Sequence, residues 1–308
     1  MIGTARIMGN FVAATGLGWN IRHDVDQLFA LHFMINAYRA GTRVAVLAGA
    51  VGWFMVLRQQ TFAGHTLALV SFPGAAGAIW LGVSATSGYF TACVAAALVI
   101  ALVPRPASAQ GHSEESAVIG TVQAFALACG VLFVSLYGGF LNSLTGLLFG
   151  TFLGISDRQV VTLAVVALVV LAVLGLIGRP LFFATVDGAV AQARGLPVRL
   201  LSVVFLVMLG CAAAEVSQIT GALLVFALLV MPAASAQYLT ARPVVSLCLT
   251  IAFAILITWL GLAIAYFSVY PVGFYVTTIG MAILVLTRVG RSATVAWQRR
   301  GGDAVIGA

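Results

Sequence analysis

Apolar residues run through this chain in long, uninterrupted stretches that are separated by short polar breaks. Each stretch is long enough to cross a hydrocarbon layer about 30 Å thick as a helix. None shows the period-two alternation that is typical of membrane β-strands. The pattern therefore predicts an all-α, polytopic transmembrane helical bundle of eight or nine spans, placed at 36–57, 62–82, 87–103, 118–137, 160–177, 200–215, 218–238, 244–266 and 271–287.

Composition supports a membrane protein and excludes one class of enzyme. Of the 308 residues, 62% are hydrophobic and 7% are charged, with a mean hydropathy of +1.12, whereas soluble domains carry about 25% charge. All fifteen basic residues are Arg. A P-loop needs a Lys, so the chain cannot be a P-loop ATPase by itself. The isolated cysteines, Cys93, Cys129, Cys211 and Cys248, are interpreted as packing residues.

The arginines indicate orientation rather than affinity for nucleic acid. A tail at 288–308 is rich in Arg and is predicted to be cytoplasmic, after a transmembrane domain at 36–287 and an N-terminal surface segment at 1–35. Nine spans then place the amino terminus outside. Most basic residues that end helices fall inside, in accordance with the positive-inside rule, whereas three fall outside, Arg39, Arg43 and Arg158.

Three connections carry structural predictions. Residues 104–116 are rich in Pro and Ser and predict a flexible cytoplasmic loop. Gly146, Gly150 and Gly154 are spaced to form one small-residue stripe if that segment is helical. The break at residues 215–218 is very short and predicts a tight outer turn between two antiparallel spans.

The connection at 179–199 contains the pattern of a short cytoplasmic helix. Asp187 can cap it by accepting hydrogen bonds from free N–H groups, and Gly195 with Pro197 can end it. By sequence alone, this helix is equally consistent with an ordinary surface element and with a plug for a groove on a cytoplasmic partner.

Ionisable side chains inside the predicted spans are scarce. They are His65, near the start of the second span, and Glu215, at the outer end of the sixth, apart from Arg39 and Arg43 at the outer end of the first span, which can snorkel to the interface. Ion-coupled carriers need buried carboxylates for the driving ion, so this scarcity disfavours that class. His65 can ligate a transition metal or hydrogen-bond a neighbouring helix, and one histidine is fewer than the ligands such a metal needs.

Residues 53–78, 187–195 and 221–236 together resemble the metal-ion permeases of bacterial ABC transporters. Residues 53–78, WFMVLRQQTFAGHTLALVSFPGAAGA, are similar to the family's first cytoplasmic turn and its D-T-L-A-H segment. Residues 221–236, GALLVFALLVMPAASA, resemble its G-x-L-L-V-x-A-L-L-x-x-P-A-A-x-A segment. Residues 187–195 are similar to its D-x-x-x-A-x-x-x-G cytoplasmic helix.

The resemblance implies a permease subunit in the bacterial plasma membrane, with no cofactor bound by this chain. Its implied partners are a cytoplasmic ABC ATPase, a second permease copy, an extracytoplasmic solute-binding protein and membrane lipid. Asp187, Ala191 and Gly195 would then belong to the helix that couples to the ATPase, and Pro232 would lie in a span that lines the path.

The chain departs from the family where the family carries two candidate metal ligands. The acid of D-T-L-A-H is replaced by His65, and its histidine by Leu69. A single metal-ligand candidate, His65, therefore remains, and further candidates for the substrate path are Thr66, Ser71, Glu215 and Met231.

The leading hypothesis is the permease of an ATP-driven importer that moves a divalent metal ion (Zn, Mn or Fe) by alternating access. One alternative keeps this architecture and transports a non-metal solute or a metal chelate. The other is a secondary carrier or channel that works without ATP.

Overall fold

The computed structural model of the chain describes residues 31–102, 109–137, 150, 155–222, 224–268 and 270–306. Within these ranges, eight helices are long and apolar enough to cross a membrane, and a ninth apolar helix is shorter. The predicted bundle is therefore confirmed. The helices are α1 His32–Leu57, α2 Thr61–Trp80, α3 Ala85–Leu102, α4 Ala109–Tyr137, α5 Asp157–Val186, α6 Gly188–Ala193, α7 Val198–Thr220, the shorter α8 Val225–Leu239, α9 Pro243–Tyr266 and α10 Val272–Ile306.

The helices form two groups that share α7. In one group, α2 packs on α3 and α4; in the other, α1 packs on α5, α8 and α9, and α10 covers α8 and α9. Helix α7 contacts both groups, and α8 also touches α2. Helices α1 and α2 are consecutive in the chain but contact each other little. The seam between the groups therefore runs along α2, α7 and α8.

Small residues allow the helices to approach closely. A Cβ on Gly52 of α1 would overlap the backbone carbonyl of Leu229 in α8. Gly74 of α2 and Gly88 of α3 face each other in the same way. Close backbone approach is the usual way that helices associate in a membrane, where the hydrophobic effect does not drive them together.

The break predicted after residue 177 does not exist, because α5 continues through Arg179 and Pro180 to Val186. Its 30 residues span about 45 Å, compared with about 30 Å of hydrocarbon. Pro180 lacks the N–H that would bond the carbonyl of Leu176, yet the helix continues. The connection predicted at 179–199 therefore begins only at Asp187.

Two other predicted connections are shorter than expected or lie elsewhere. The loop predicted at 104–116 is helical from Ala109 onwards, and residues 103–108 lie outside the described residues. The turn predicted at 215–218 is wrong, because α7 continues to Thr220 and the chain turns at Gly221, whose φ is +77°. Only glycine adopts this conformation without strain.

The ends of the chain and the glycine stripe are described only in part. Residues 1–30 of the predicted N-terminal segment, and Gly146 and Gly154, lie outside the described residues. Gly150 is not helical, since its φ is +80°, and a Cβ there would overlap the carbonyl oxygen of Ile219. A helical stripe through Gly150 is therefore wrong. The predicted tail continues the last helix, as α10 runs to Ile306.

Candidate functional site

His65 lies on the first turns of α2 and points towards α8 across the seam. Its ring is half-buried and meets the ring of Phe226 edge-on, with centroids 5.0 Å apart. Its Nδ1 atom is buried and has no hydrogen-bond partner among the described residues. Buried polar atoms are nearly always paired, so an unpaired imidazole nitrogen at a helix seam is a candidate ligand atom.

The other two candidates on α2, Thr66 and Ser71, already use their hydroxyl groups in hydrogen bonds within the bundle. The Thr66 hydroxyl donates a 2.9 Å hydrogen bond to Oε1 of Gln123 in α4. The Ser71 hydroxyl donates to the carbonyl of Ala68 at 2.6 Å, within its own helix. Both residues are fully buried. The structure therefore does not bring these hydroxyls to His65, and their place in the path stays a prediction.

Helix α8 presents Phe226, rather than Met231, to His65. Five residues separate the two along the helix, which is a rotation of about 140° at 3.6 residues per turn. Met231 instead faces α10, where its sulfur lies against Gly280. Pro232 is buried inside α8, where it removes one backbone donor. The seam at His65 is therefore formed by an imidazole and an aromatic ring.

Glu215 is buried inside the bundle, within α7 and five residues before the last residue of that helix, Thr220. It is 0% exposed, and neither carboxylate oxygen has a hydrogen-bond partner among the described residues. Cys211, one turn earlier on α7, lies near enough to interact with both Glu215 and Cys93 of α3. A buried carboxyl group without a partner is costly in a membrane and is usually functional.

The short helix predicted at 187–195 is present with the predicted ends. The Asp187 carboxylate accepts a 2.9 Å hydrogen bond from the Val190 N–H, and α6 spans Gly188–Ala193. Gly195 has a φ of +78°, which allows the chain to reverse. Ala191 is fully buried, whereas Val190 is 41% exposed. Ala191 therefore anchors α6 to the bundle, and Val190 belongs to its outward face.

Arg58 joins three helices beside α6, a role that the sequence did not reveal. Its Nη1 donates to the Thr185 hydroxyl of α5 at 3.0 Å, and its Nη2 donates to the Ser202 hydroxyl of α7 at 2.8 Å. The guanidinium also lies 5.3 Å from the centre of the Phe205 ring. A basic residue at the end of a span is common, so its spacing gave no signal of this network.

The described residues contain no group of three or more His, Cys, Asp or Glu side chains placed to hold a metal ion. All four cysteines are free thiols. His65 and Glu215 lie on different helices, α2 and α7, and the described contacts do not join them. One protomer therefore offers single candidate ligands rather than a complete coordination sphere.

A bundle of apolar helices with a capped helix at one end, and with single unpaired polar groups inside, defines a multi-pass membrane transport protein. The family model of the ABC 3 transport family matches residues 30–290. The chain therefore belongs to the ABC 3 transport family, and it is the membrane-spanning permease subunit of an ATP-binding cassette importer in the bacterial plasma membrane. The resemblance seen in the sequence is confirmed.

Curated relatives match over most of their own length. The manganese transport system membrane protein MntC of Halalkalibacterium halodurans is 30% identical over 250 residues, which cover 81% of this chain and 83% of that protein. The chelated iron transport system membrane protein YfeC of Yersinia pestis is 30% identical over 244 residues, covering 79% and 80%.

Solved structures support the same fold. PsaBC from Streptococcus pneumoniae, solved in complex with a Fab, matches with a TM-score of 0.76 and 25% identity, over 87% of this chain and 95% of that one. An inward-facing metal-chelate type ABC transporter matches with a TM-score of 0.61 and 19% identity, over 81% and 85%. The latter match concerns the fold alone.

Proposed function

We propose that this permease imports a divalent transition-metal ion along the seam between α2 and α8. The observation that carries the proposal is the buried, unpaired Nδ1 of His65 at that seam. Imidazole binds Zn²⁺, Mn²⁺ and Fe²⁺, and relatives that match over most of the chain are named as manganese and iron transport proteins. In this proposal the metal is the transported substrate and not a resident cofactor.

A second copy of the chain would complete the site. One His65 is too few for a metal that takes four or more ligands. A homodimer whose seams face a common path would supply two imidazoles, and water or carbonyl oxygens would supply the rest. Such a site is weaker than a structural one. A transport site must also release its ion, so weak binding favours turnover.

The exposed face of α6 is the proposed docking surface for a separate ATPase subunit. Helix α6 lies between the ends of α5 and α7, and Arg58 bonds to both of these helices. Arg58 also precedes α2 by three residues, so it links the two groups of helices near the base of α2. Movement of α6 would therefore reach α2, and His65 on it, through Arg58. An extracytoplasmic solute-binding protein would deliver the metal to the opposite face.

Uptake by the reconstituted transporter tests the substrate. We expect proteoliposomes that contain the permease and its ATPase to accumulate at least one of Mn²⁺, Zn²⁺ and Fe²⁺ in an ATP-dependent manner. Each metal would be measured alone and with an equimolar small chelator. Uptake that occurs only with the chelator would favour the chelate alternative, which the loss of the second ligand at Leu69 supports. No ATP-dependent uptake of metal in either form would contradict the proposal.

Glu215 is a second candidate residue for the path, at a position apart from His65, and replacing it distinguishes a role in transport from a role in packing. Burying a polar group without a hydrogen bond costs about 1–3 kcal/mol by mutational measures, and more if the group is charged, so we expect Glu215→Leu to raise the unfolding temperature. If Glu215 contacts the metal along the path, the same substitution should also slow metal uptake severalfold. Thermal unfolding in detergent and uptake would be measured on the same preparation. A more stable variant with unchanged uptake would remove Glu215 from the path.

The Arg58 network is expected to be required for coupling. Hydrogen bonds to charged groups contribute about 1.5–3 kcal/mol each, and Arg58→Gln would weaken those that join α1 to α5 and α7. Because the change affects the link between helices and not the ATPase itself, it should lower uptake more than it lowers ATP hydrolysis. Arg58→Lys keeps the charge but loses the fork that reaches Thr185 and Ser202 together, and should be intermediate. Arg39→Gln, an exposed change at the other end of α1, is the control. Equal loss of uptake and hydrolysis in Arg58→Gln would argue against a role in coupling.

A further inference from the structure

A cavity of about 580 Å³ is lined by residues of α1, α5 and α9, and by none of α2 or α8. It opens between α5 and α9, and α1 forms its floor. Trp53 and Phe54 line it from α1, Leu174 and Gly178 from α5, and Val244 and Leu247 from α9. Its volume lies within the range of about 300–1,000 Å³ that small-molecule sites occupy. We refer to it as the α5–α9 groove.

Two glycines create the α5–α9 groove. Helices α5 and α9 both pack against α1, and the wall that α5 contributes has no side chain at Gly175 or Gly178. A Cβ at Gly175 would meet nothing within 4 Å, and one at Gly178 would approach Phe54 to 3.8 Å. The space is therefore open, and larger side chains at these two positions would enter it.

The length and lining of the α5–α9 groove fit one leaflet of a bilayer. On α5 its lining runs from Leu171 to Phe182, which is about 16 Å at 1.5 Å per residue and close to half of a 30 Å hydrocarbon layer. The lining is apolar except at one end. The indole N–H of Trp53 already donates a hydrogen bond to the Ser246 hydroxyl at 3.0 Å, so a bound molecule does not have to supply an acceptor for it.

The end of the α5–α9 groove nearest α6 is positively charged. Arg179 lines this end, and Arg242 immediately precedes Pro243, which also lines it. Both arginines are exposed. Within the described residues, no hydrogen bond or ion pair engages the Arg179 guanidinium, and the groove lining contains no carboxylate. Arginine binds phosphate oxygens with a geometry that lysine lacks.

We propose that the α5–α9 groove binds an anionic phospholipid of the cytoplasmic leaflet. One acyl chain would lie along α5 over Gly175 and Gly178, and the phosphate would be bound by Arg179 with Arg242. Basic pockets between membrane helices on the cytoplasmic side are known to bind anionic headgroups. The site is independent of which substrate the permease moves. It lies on α5, whose end leads directly into α6.

Lipid binding to the purified permease tests this proposal. Native mass spectrometry would measure retention of phosphatidylglycerol and phosphatidylcholine by the wild type, Gly175→Leu and the double variant Arg179→Gln/Arg242→Gln. We expect the wild type to retain phosphatidylglycerol preferentially. Gly175→Leu should lose one bound lipid, and the arginine variant should bind phosphatidylglycerol about tenfold more weakly.

Matched controls separate the groove from general surface effects. Gly120→Leu on α4 also adds a side chain where a Cβ meets nothing within 4 Å, and Arg199→Gln removes an exposed charge near the start of α7. Both should bind lipid as the wild type does. The arginine variants change exposed side chains and should fold normally. Their lipid binding therefore tests the proposal even if Gly175→Leu fails to fold. Equal binding of both lipids by the wild type, or undiminished binding by the groove variants, would overturn the proposal.

Discussion

Asp187→Ala is expected to abolish the stimulation of ATP hydrolysis and to reduce uptake at least tenfold, while the bundle stays folded. The carboxylate caps α6 through the Val190 N–H, and losing such a cap costs about 1 kcal/mol. Helix α6 has only six residues, and isolated helices of this length are unstable in water. Without its cap, α6 should lose the shape that the ATPase would recognise. Substrate-stimulated hydrolysis and uptake would be measured together with thermal unfolding.

Three variants of the same helix make this prediction specific. Asp187→Asn keeps a capping oxygen and should keep coupling. Gly195→Val should uncouple, because a β-branched residue is strained at a φ of +78° although a Cβ there meets nothing within 4 Å. Gly188→Ala also adds a Cβ in open space, without a positive φ, and should be tolerated. Normal coupling in both Asp187→Ala and Gly195→Val would remove α6 as the docking helix.

His65→Ala should reduce metal uptake on the order of tenfold or more. Losing a residue that only supports a metal ligand already lowers metal affinity or activity about 10–100-fold, and losing the ligand itself should lower it at least as much. The unpaired Nδ1 of His65 has no structural hydrogen bond to lose, so the unfolding temperature should change little. His65→Phe keeps a ring beside Phe226 but has no ligand atom for a metal ion. It should therefore fail as His65→Ala does.

Restoring the family pattern provides the matching gain of function. The double variant His65→Asp/Leu69→His recreates the acid and histidine at i and i+4, which lie on one helix face. We expect it to transport metal better than His65→Ala, with a shifted preference among Mn²⁺, Zn²⁺ and Fe²⁺. Unchanged uptake in His65→Ala would show that His65 only packs against Phe226.

The helical bundle could be predicted because hydrophobicity alone determines which segments cross a membrane. The short helix α6 could be predicted because a cap and a stop, Asp187 and Gly195, are local signals. The continuation of α5 could not, because Arg179 and Pro180 are residues that normally end a span, whereas the helix runs past both and buries Leu181 and Ala184 beyond them. The sequence predicts a turn at 215–218, beside Glu215, whereas α7 continues to Thr220 and the chain turns at Gly221. This continuation leaves Glu215 inside a helix, where it is buried.

The contacts of the candidate site depend on pairs of residues that are distant in sequence. Arg58 bonds Thr185 and Ser202, which are 127 and 144 residues away, and His65 meets Phe226. No periodicity within one segment encodes such pairs. The family resemblance pointed to the correct segments, α2, α6 and α8, but not to the partner of each side chain.

The unbroken α5 has a mechanical consequence. Its outer end is fastened to α1, since Asn36 donates to Asp157 at 2.8 Å and Arg43 donates to the Val160 carbonyl at 3.0 Å, and its inner end leads into α6. A stiff rod that tilts about its middle moves its two ends in opposite directions. A displacement of α6 would therefore move the inner end of α5 in one direction and its outer end in the opposite direction. A single lever of this kind can open one side of the membrane as it shuts the other, without a relay of separate loops.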